Sequence, residues 1–299
     1  MSRPLWARPK ILILEIALFA AFVASFAVIP LFGWRFAVIL TVLVLAHEAG
    51  HIWALHHYGI GLKGFFFIPF MGAIVVPESN EFPSDTADAW VSLMGPLWGF
   101  GSALVAMGLW HITGNKSFLE AAFYAVIINL FNLDLLFPID GGRMMRCFSH
   151  MLSPFRGLLL FAFLNLISLA PIALVGWLPF YAAQHALMPR WLIGVNIFSL
   201  VLLLAAVSHG AYSEWRDRAL LIWYKAVLVE EKKSIPEQRF AEDPAGGLCQ
   251  KLDLAAALYR RAEEMKIGKK QFFILLATYL GLASAFVLLL VKLLAIIKS

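Results

Sequence analysis

The chain has 299 residues, of which 61% are hydrophobic and 14% are charged, and its mean hydropathy is +0.80. A soluble domain carries about 25% charged residues, so this composition excludes an ordinary soluble protein and predicts a polytopic membrane protein. The net charge of +5 comes from basic residues beside apolar runs, which fits contact with a lipid bilayer and argues against a nucleic-acid partner. The only two cysteines, Cys147 and Cys249, cannot form a disulfide framework or a cysteine zinc cluster.

Taken in chain order, about seven apolar segments are long enough to cross a bilayer, which needs roughly 20 residues. They lie near residues 11–32, 35–57, 88–111, 118–137, 157–178, 190–209 and 272–297. The first follows a basic N-terminus and predicts an uncleaved span rather than a signal peptide. The predicted fold class is therefore an all-α polytopic membrane protein with about seven transmembrane helices.

Two regions depart from this pattern. Residues 61–77 are rich in aromatic and β-branched side chains and are interrupted by glycine and proline, so they predict a small membrane-associated β-hairpin; a packed re-entrant loop is the alternative. Residues 212–270 form a polar stretch that begins with a predicted amphipathic helix, Ser213 to Lys233, on the cytoplasmic membrane surface.

These patterns divide the chain into five predicted parts: an N-terminal transmembrane helix (1–33), a membrane core (34–152), two further transmembrane helices (153–211), a cytoplasmic amphipathic helix and linker (212–270), and a C-terminal transmembrane helix (271–299). Basic residues concentrate at the N-terminus and in every second loop. The positive-inside rule therefore places the N-terminus in the cytoplasm.

The second predicted span contains His47-Glu48-Ala49-Gly50-His51 near its cytoplasmic end. Because His47 and His51 are four residues apart, they lie on one helical face and can bind one zinc ion. Glu48 lies close enough to act as a general base on a water molecule at that metal. Ionisable side chains are expensive within a membrane span, so this cluster predicts a functional site.

A zinc ion held by two histidines needs at least one further protein ligand. The best candidate is Asp140, which follows Pro138 and precedes Gly141 and Gly142. Pro138 ends the fourth span and the glycines permit a tight turn that directs the carboxylate into the bundle, although an Asp before two glycines is also a common ordinary turn. Asp134 is a rival third ligand.

Together the two segments resemble the site-2 protease family of intramembrane zinc metalloproteases. The family's HExxH motif is matched by His47, Glu48 and His51, and its N-x-x-P-x-x-P-L-D-G-G motif by the following residues: Asn132, Pro138, Asp140, Gly141, Gly142 and Arg143. Leu135 replaces the first proline of that motif. Gly95-Pro96 resembles a third family segment, but Trp98, Gly99 and Phe100 stand where the family often has an asparagine. The likeness covers roughly residues 35 to 145, without the PDZ or CBS domains of some members.

The resemblance implies one zinc ion bound by His47, His51 and Asp140, with Glu48 as general base. It implies hydrolysis of a peptide bond in or near a transmembrane segment of a membrane-protein substrate, as in regulated intramembrane proteolysis. It also implies that Asn132 helps to position the substrate; a helix–helix hydrogen bond is the alternative.

An unwound substrate could pair as an extended strand with the predicted hairpin, at Ile74 and Val75. Compactness and the breadth of the family predict a prokaryotic inner membrane, with the active site towards the cytoplasm.

Two other classes of protein remain open on the sequence. One is a different membrane-embedded zinc hydrolase, such as a prenyl-protein protease, which would need a downstream glutamate motif that the sequence lacks. The other is a non-catalytic membrane scaffold that retains the fold. The buried acid Glu48 argues against a scaffold, because such a protein has no need of it. His56 and His57 are interpreted as interfacial residues.

Overall fold

The structure is a computed structural model that describes residues 9–28, 33–70, 72–78, 82–184, 191–231 and 266–298, together with residues 257, 259 and 264. The helices with described bounds are α1 (Pro9–Ala27), α2 (Gly33–His57), α3 (Asp85–Thr113), α4 (Lys116–Asn132), α5 (Asp140–Ser149), α6 (Pro154–Gln184), α7 (Trp191–Glu231) and α8 (Lys269–Lys298). Between α2 and α3 lie the strands β1 (Leu62–Ile68) and β2 (Gly72–Pro77). The predicted helical architecture with one small hairpin is confirmed.

Within the described part of the chain, three helices are long and apolar enough to cross a membrane: α2, α3 and α8. The described apolar stretches of α1 and α6 are shorter. The three long helices support a membrane protein, whereas the seven predicted crossings and the five predicted parts of the chain stay predictions.

Two predicted boundaries are wrong. The fourth apolar segment was expected to continue as a helix to residue 137, but α4 ends at Asn132. The cause is Asp134, whose carboxylate accepts a hydrogen bond from the backbone N–H of Leu136 at 3.0 Å. Such a local turn competes with helical hydrogen bonds. The chain therefore leaves the helix before Pro138 is reached.

The predicted sixth span and the predicted amphipathic helix form one continuous helix, α7. Gly210 lies near their expected junction, but a glycine costs a helix only about 1 kcal/mol and does not by itself end it. Gly210 also packs against the ring of Phe137, where any larger side chain would collide. Most of the predicted linker that follows lies outside the described residues.

The predicted hairpin is present as an antiparallel pair in which Phe65 lies opposite Val75 and Ile68 opposite Gly72. Helix α1 covers the outer edge of β1, where Glu15 Oε1 accepts a hydrogen bond from the backbone N–H of Phe65 at 2.9 Å. Strand β2 instead packs against α2. One edge of the hairpin is thus covered by α1, and the other lies beside the HExxH helix.

Helix α3 is the centre of the fold, because it packs against α2, α4, α5 and α8. Ser84 caps its N-terminus by accepting a hydrogen bond from the backbone N–H of Ala87. Small residues such as Ala103 and Ala106 are fully or almost fully buried along it, so neighbouring helices approach closely. As a result, α3 touches both the HExxH helix and α5, which begins at Asp140.

Candidate metal centre

The histidines of the HExxH motif and Asp140 meet at one buried point. His47 Nε2 lies 3.1 Å from His51 Nε2. Asp140 Oδ2 lies 3.1 Å from His47 Nε2 and 3.3 Å from His51 Nε2. Both histidines are buried, and 12% of the Asp140 side chain is exposed. Two imidazole nitrogens and one carboxylate oxygen therefore face the same small volume.

In each histidine, Nδ1 is the ring nitrogen that faces away from the other two candidate ligands. Its hydrogen-bond partner determines whether Nδ1 carries the proton. His51 Nδ1 lies 2.7 Å from the backbone carbonyl of Val91, which can only accept, so this nitrogen carries a proton and donates. His47 Nδ1 lies 2.7 Å from Asn129 Oδ1. Asn129 Nδ2 donates to the carbonyl of Ala125, so its oxygen must face His47 and accept. In the neutral histidines both Nε2 atoms therefore carry lone pairs.

This donor set fits zinc. Ligand atoms about 2.0–2.2 Å from a tetrahedral zinc ion lie about 3.4 Å apart, close to the separations of the three atoms here. Without a cation or extra protons, two nitrogen lone pairs and a carboxylate oxygen would repel each other at these distances. Histidines with their other ring N–H bound to a carbonyl or amide oxygen are typical of zinc sites. His47, His51 and Asp140 are thus the residues that would hold the ion.

Glu48 lies beside this point and is also buried. The ligand atoms of His47, Glu48 and His51 all lie within 4.8 Å of one another. The Glu48 carboxylate also faces the backbone of Val75 on β2. Glu48 therefore lies between the candidate metal position and the strand edge that faces α2.

One face of α3, formed by Val91, Gly95 and Gly99, shapes the site, a role that the sequence did not predict. A Cβ atom at Gly95 would overlap the Nε2 atoms of both His47 and His51. A Cβ atom at Gly99 would overlap the side-chain amide of Asn129. With Val91, these glycines are spaced by four residues and lie on one face of the helix. The small residues let α3 approach the site closely enough to define its wall.

Gly141 and Gly142 have a different role from the predicted one. They lie in the first turn of α5 rather than in a tight turn, so that expectation is wrong. A Cβ atom at Gly141 would overlap the carbonyl oxygens of Leu133 and Asp134, and one at Gly142 would overlap the backbone at Leu136. These positions require small residues because the first turn of α5 packs directly on the preceding loop.

The loop between α4 and α5 is held by helices that lie far away in the sequence. Tyr279 of α8 donates a hydrogen bond from its hydroxyl to the carbonyl of Leu133 at 2.6 Å. Asn165 of α6 accepts one from the backbone N–H of Phe137 at 2.8 Å. Because this loop ends at Asp140, both helices help to fix the carboxylate in the site.

The other residues that the sequence singled out make contacts of their own outside the three candidate ligand atoms. Asp134, the rival third ligand, is engaged with the backbone N–H of Leu136. His57 stacks on Trp53 at the end of α2. Asn132 donates from its amide to the carbonyl of Ile128 in its own helix, and its proposed contact with substrate stays a prediction. On β2, 48% of Ile74 is exposed, whereas Val75 is half-buried.

A second polar cluster joins α3, the end of α5 and α7. His150 lies between two carboxylates, with Nδ1 3.0 Å from Asp85 and Nε2 3.0 Å from Glu214, and Glu214 also binds Arg218. Burial alone would lower the pKa of His150, but hydrogen bonds to the two carboxylates outweigh it and raise that pKa to about 9. His150 is therefore charged at neutral pH and links three helices.

This cluster predicts a pH-dependent stability. Because the pKa of His150 rises from about 6.5 unfolded to about 9 folded, its stabilising effect is complete below pH 6.5 and is lost as the pH rises through 9. In thermal unfolding, we expect His150→Gln to lower Tm by roughly 5 °C at pH 6 and by much less at pH 10. An equal difference at both values would contradict this account.

Known proteins resemble the part of the chain that contains this site. The model of peptidase family M50 matches residues 35–125. A zinc metalloprotease of Methanocaldococcus jannaschii is 26% identical over 114 residues, which cover 36% of this chain and 32% of that protein. Stage IV sporulation protein FB of Bacillus subtilis is 29% identical over 119 residues, which cover 39% of this chain and 41% of that protein.

Among solved structures, the site-2 protease from Methanocaldococcus jannaschii aligns with a TM-score of 0.42 and 17% identity, over 68% of this chain and 88% of that one. The chain thus spans about a third to two fifths of the length of the curated relatives it matches. Fold and site define a helical membrane protein with a candidate HExxH metal centre. The predicted resemblance to the site-2 proteases is confirmed, through peptidase family M50, over the segment that carries that motif.

The hydrogen bond from His47 to Asn129 yields a testable prediction. Replacing Asn129 with Ala removes the acceptor for His47 Nδ1, so the imidazole is free to rotate or change tautomer. We expect a 10- to 100-fold loss of zinc affinity, the usual cost of removing such a partner. Competition with a chelator of known affinity measures it. Asn132→Ala is the matched control, three residues away, and is expected to bind zinc like the wild type.

Proposed function

We propose that this protein is an intramembrane zinc metalloprotease that hydrolyses a peptide bond in or near a transmembrane segment of a membrane protein. The observation that carries the proposal is the convergence of Asp140 with His47 and His51 beside Glu48, the last three of which belong to a helix long enough to cross a membrane. The similarity of residues 35–125 to peptidase family M50 supports it. Asp140 lies beyond that segment, so its role as third ligand rests on the geometry.

The chain's own residues account for the proton transfers. Held by His47, His51 and Asp140, a zinc ion would supply Lewis-acid chemistry to the scissile carbonyl and to a water molecule. Glu48 accepts a proton from that water and donates it to the leaving amine. Asn129 and the carbonyl of Val91 hold both imidazoles in the tautomer that points Nε2 to the metal. Burial of the site limits the water that can reach it.

The same proposal includes capture of the substrate by β2. A helical substrate hides its peptide bonds, so a segment of it must become extended before cleavage. The edge of β1 is capped by Glu15 of α1, whereas the edge of β2 lies at Glu48. A substrate strand added to β2, at Ile74 and Val75, would therefore have its backbone beside the proposed base.

Pairing with β2 is tested by replacing Val75 with Pro, which removes the backbone N–H that faces α2 and Glu48. If this N–H binds substrate, we expect cleavage to fall at least about tenfold, the cost of one lost and unreplaced hydrogen bond, while the pH profile of cleavage and the zinc content are unchanged. A fall with a shifted pH profile would assign the loss to Glu48 instead of strand pairing. Val75→Ala, which keeps the N–H, is the control for lost side-chain packing. Normal cleavage by Val75→Pro would count against pairing at this edge but not against the metal site.

Substrate trapping tests the proposed activity itself. A Glu48→Gln variant is expected to bind substrates without turning them over, so membrane proteins that co-purify with it and not with the wild type are candidate substrates. Each is then incubated in proteoliposomes with the wild-type protein. Cleavage within or beside a transmembrane segment, abolished by a chelator and restored by zinc, is the expected result. Cleavage that persists in the chelator would contradict a zinc protease.

A further inference from the structure

Asp88 binds two arginines from the short helix that carries Asp140. Asp88 is 1% exposed in the first turn of α3. Its Oδ1 accepts a hydrogen bond from Arg143 Nη2 at 2.7 Å, and its Oδ2 accepts one from Arg146 Nη2 at 2.5 Å. Both arginines belong to α5, three and six residues after Asp140. One buried carboxylate therefore holds α5 through both arginines, and Cys147 Sγ of the same helix lies 3.5 Å from its Oδ2.

The arginines are themselves held in place by aromatic rings. The guanidinium of Arg143 lies 5.5 Å from the centre of the Phe82 ring, and that of Arg146 lies 5.3 Å from the centre of the Phe137 ring. These cation–π contacts restrict the side chains to one arrangement. Phe137 belongs to the loop that leads to Asp140, so the same arginine contacts both α3 and that loop.

Net stability is a poor explanation for this arrangement. Desolvation of buried charges offsets most of their mutual attraction, and apolar side chains of similar volume often stabilise a protein as well or better. A buried ion cluster is better suited to fixing one helix at one position on another. In α5, Asp140 and Arg143 lie on the same helical face, so fixing Arg143 also fixes the rotation that directs Asp140.

Asp88 lies on the same helix as the groups that shape the histidine half of the site. Val91, three residues later, accepts the hydrogen bond from His51, and Gly95, one further turn along, makes room for both Nε2 atoms. One rigid helix thus contacts α2 through Val91 and Gly95 and holds α5 through Asp88. The distance between the two histidines and Asp140 depends on this helix.

We propose that Asp88 is a positioning residue that holds Asp140 in the metal centre by binding Arg143 and Arg146. This inference rests on the proposed function, since it assigns Asp88 a part in building the same zinc site. Loss of a partner bonded directly to a metal ligand lowers metal affinity by about 10- to 100-fold, and misplacing Asp140 itself through the arginines is expected to cost as much. Asp88→Asn keeps the shape of the side chain but loses the charge that attracts the arginines, so we expect a loss in that range.

The test measures zinc affinity by chelator competition, and the ligand field by the visible spectrum of the cobalt-substituted protein. For Asp88→Asn we expect weaker zinc binding and a cobalt spectrum shifted towards that of Asp140→Ala. Asp85→Asn is the matched control, because Asp85 is equally buried one turn away on α3 but binds His150 instead. It is expected to keep zinc affinity within about threefold, and the wild-type spectrum.

A charge-balanced variant guards against simple misfolding. Asp88→Asn alone leaves two arginines beside a neutral amide. The double variant Asp88→Asn with Arg146→Gln loses one negative and one positive charge, so the net charge of the cluster is the same as in the wild type. It should show the same spectral shift. An unchanged affinity and spectrum in both variants would overturn the inference, as would an equal loss in Asp85→Asn. Wild-type protein that binds no zinc would overturn the proposed function, and this inference with it.

Discussion

A Gly95→Ala variant is expected to lose zinc affinity by at least about 100-fold, the upper end of the range for partners outside the metal's own ligands. The added Cβ atom would overlap the Nε2 atoms of His47 and His51. Because both imidazoles are also held through Nδ1, His47 by Asn129 and His51 by the carbonyl of Val91, neither ring can move aside without losing a buried hydrogen bond. Chelator competition on the purified variant measures the loss.

The matched control is Gly101→Ala, on the same helix. A Cβ atom there has open space around it, and alanine is favoured over glycine in a helix by about 1 kcal/mol. We expect normal zinc affinity and equal or higher thermal stability. Wild-type zinc affinity in Gly95→Ala would show that the histidines do not meet against α3 as the structure has them.

Replacing Glu48 with Gln is expected to reduce cleavage by at least 10²- to 10⁴-fold, the usual contribution of a general base. The amide has the shape of the carboxylate but cannot take a proton from water. Since His47, His51 and Asp140 are untouched, zinc content should stay at the wild-type level. Parallel assays of cleavage and zinc content therefore separate the base from the metal ligands.

Glu120→Gln is the control for this experiment. Glu120 is a half-exposed glutamate on α4 that pairs with Arg35, and it lies outside the site. It should cleave like the wild type. Turnover by Glu48→Gln at the wild-type rate would remove Glu48 from the mechanism, and loss of zinc from that variant would indicate that Glu48 is a ligand instead.

The candidate residues of the HExxH motif could be predicted because their chemistry is visible locally. His47, Glu48 and His51 form one motif, and a charged residue within an apolar run is costly enough to draw attention to it. The hairpin could also be predicted, from β-branched and aromatic residues between glycines and prolines. Asp140 could be singled out locally as the best third ligand, but its likeness to a family motif was needed to favour that role, since an Asp before two glycines is common in ordinary turns.

Residues that act through tertiary contacts could not be predicted in the same way. Asn129 lies 82 positions from His47, and nothing in its neighbourhood separates it from Asn132. A signal for Gly95 and Gly99 did exist, since small residues four apart in an apolar helix indicate close helix packing. It indicates that a neighbour approaches, but not that the neighbour carries the metal ligands.

The end of α4 follows from the local turn at Asp134, and the loop between α4 and α5 is fixed by hydrogen bonds to distant helices. The loop from Leu133 to Ile139 is held by Tyr279 and Asn165, which lie in α8 and α6. Apolar residues in that loop extended the hydrophobic pattern of the fourth segment beyond the true end of the helix. This apolar pattern concealed the turn signal of Asp134, so the prediction placed the end of the helix too late.

Zinc content tests the central claim most directly. The protein, purified in detergent and freed of loosely bound metal, should contain one zinc ion per chain by elemental analysis. Asp140→Ala should contain much less, because it leaves only the two histidines of α2 as ligands. Wild-type protein without zinc, or an Asp140→Ala variant that binds zinc as tightly as the wild type, would contradict the account.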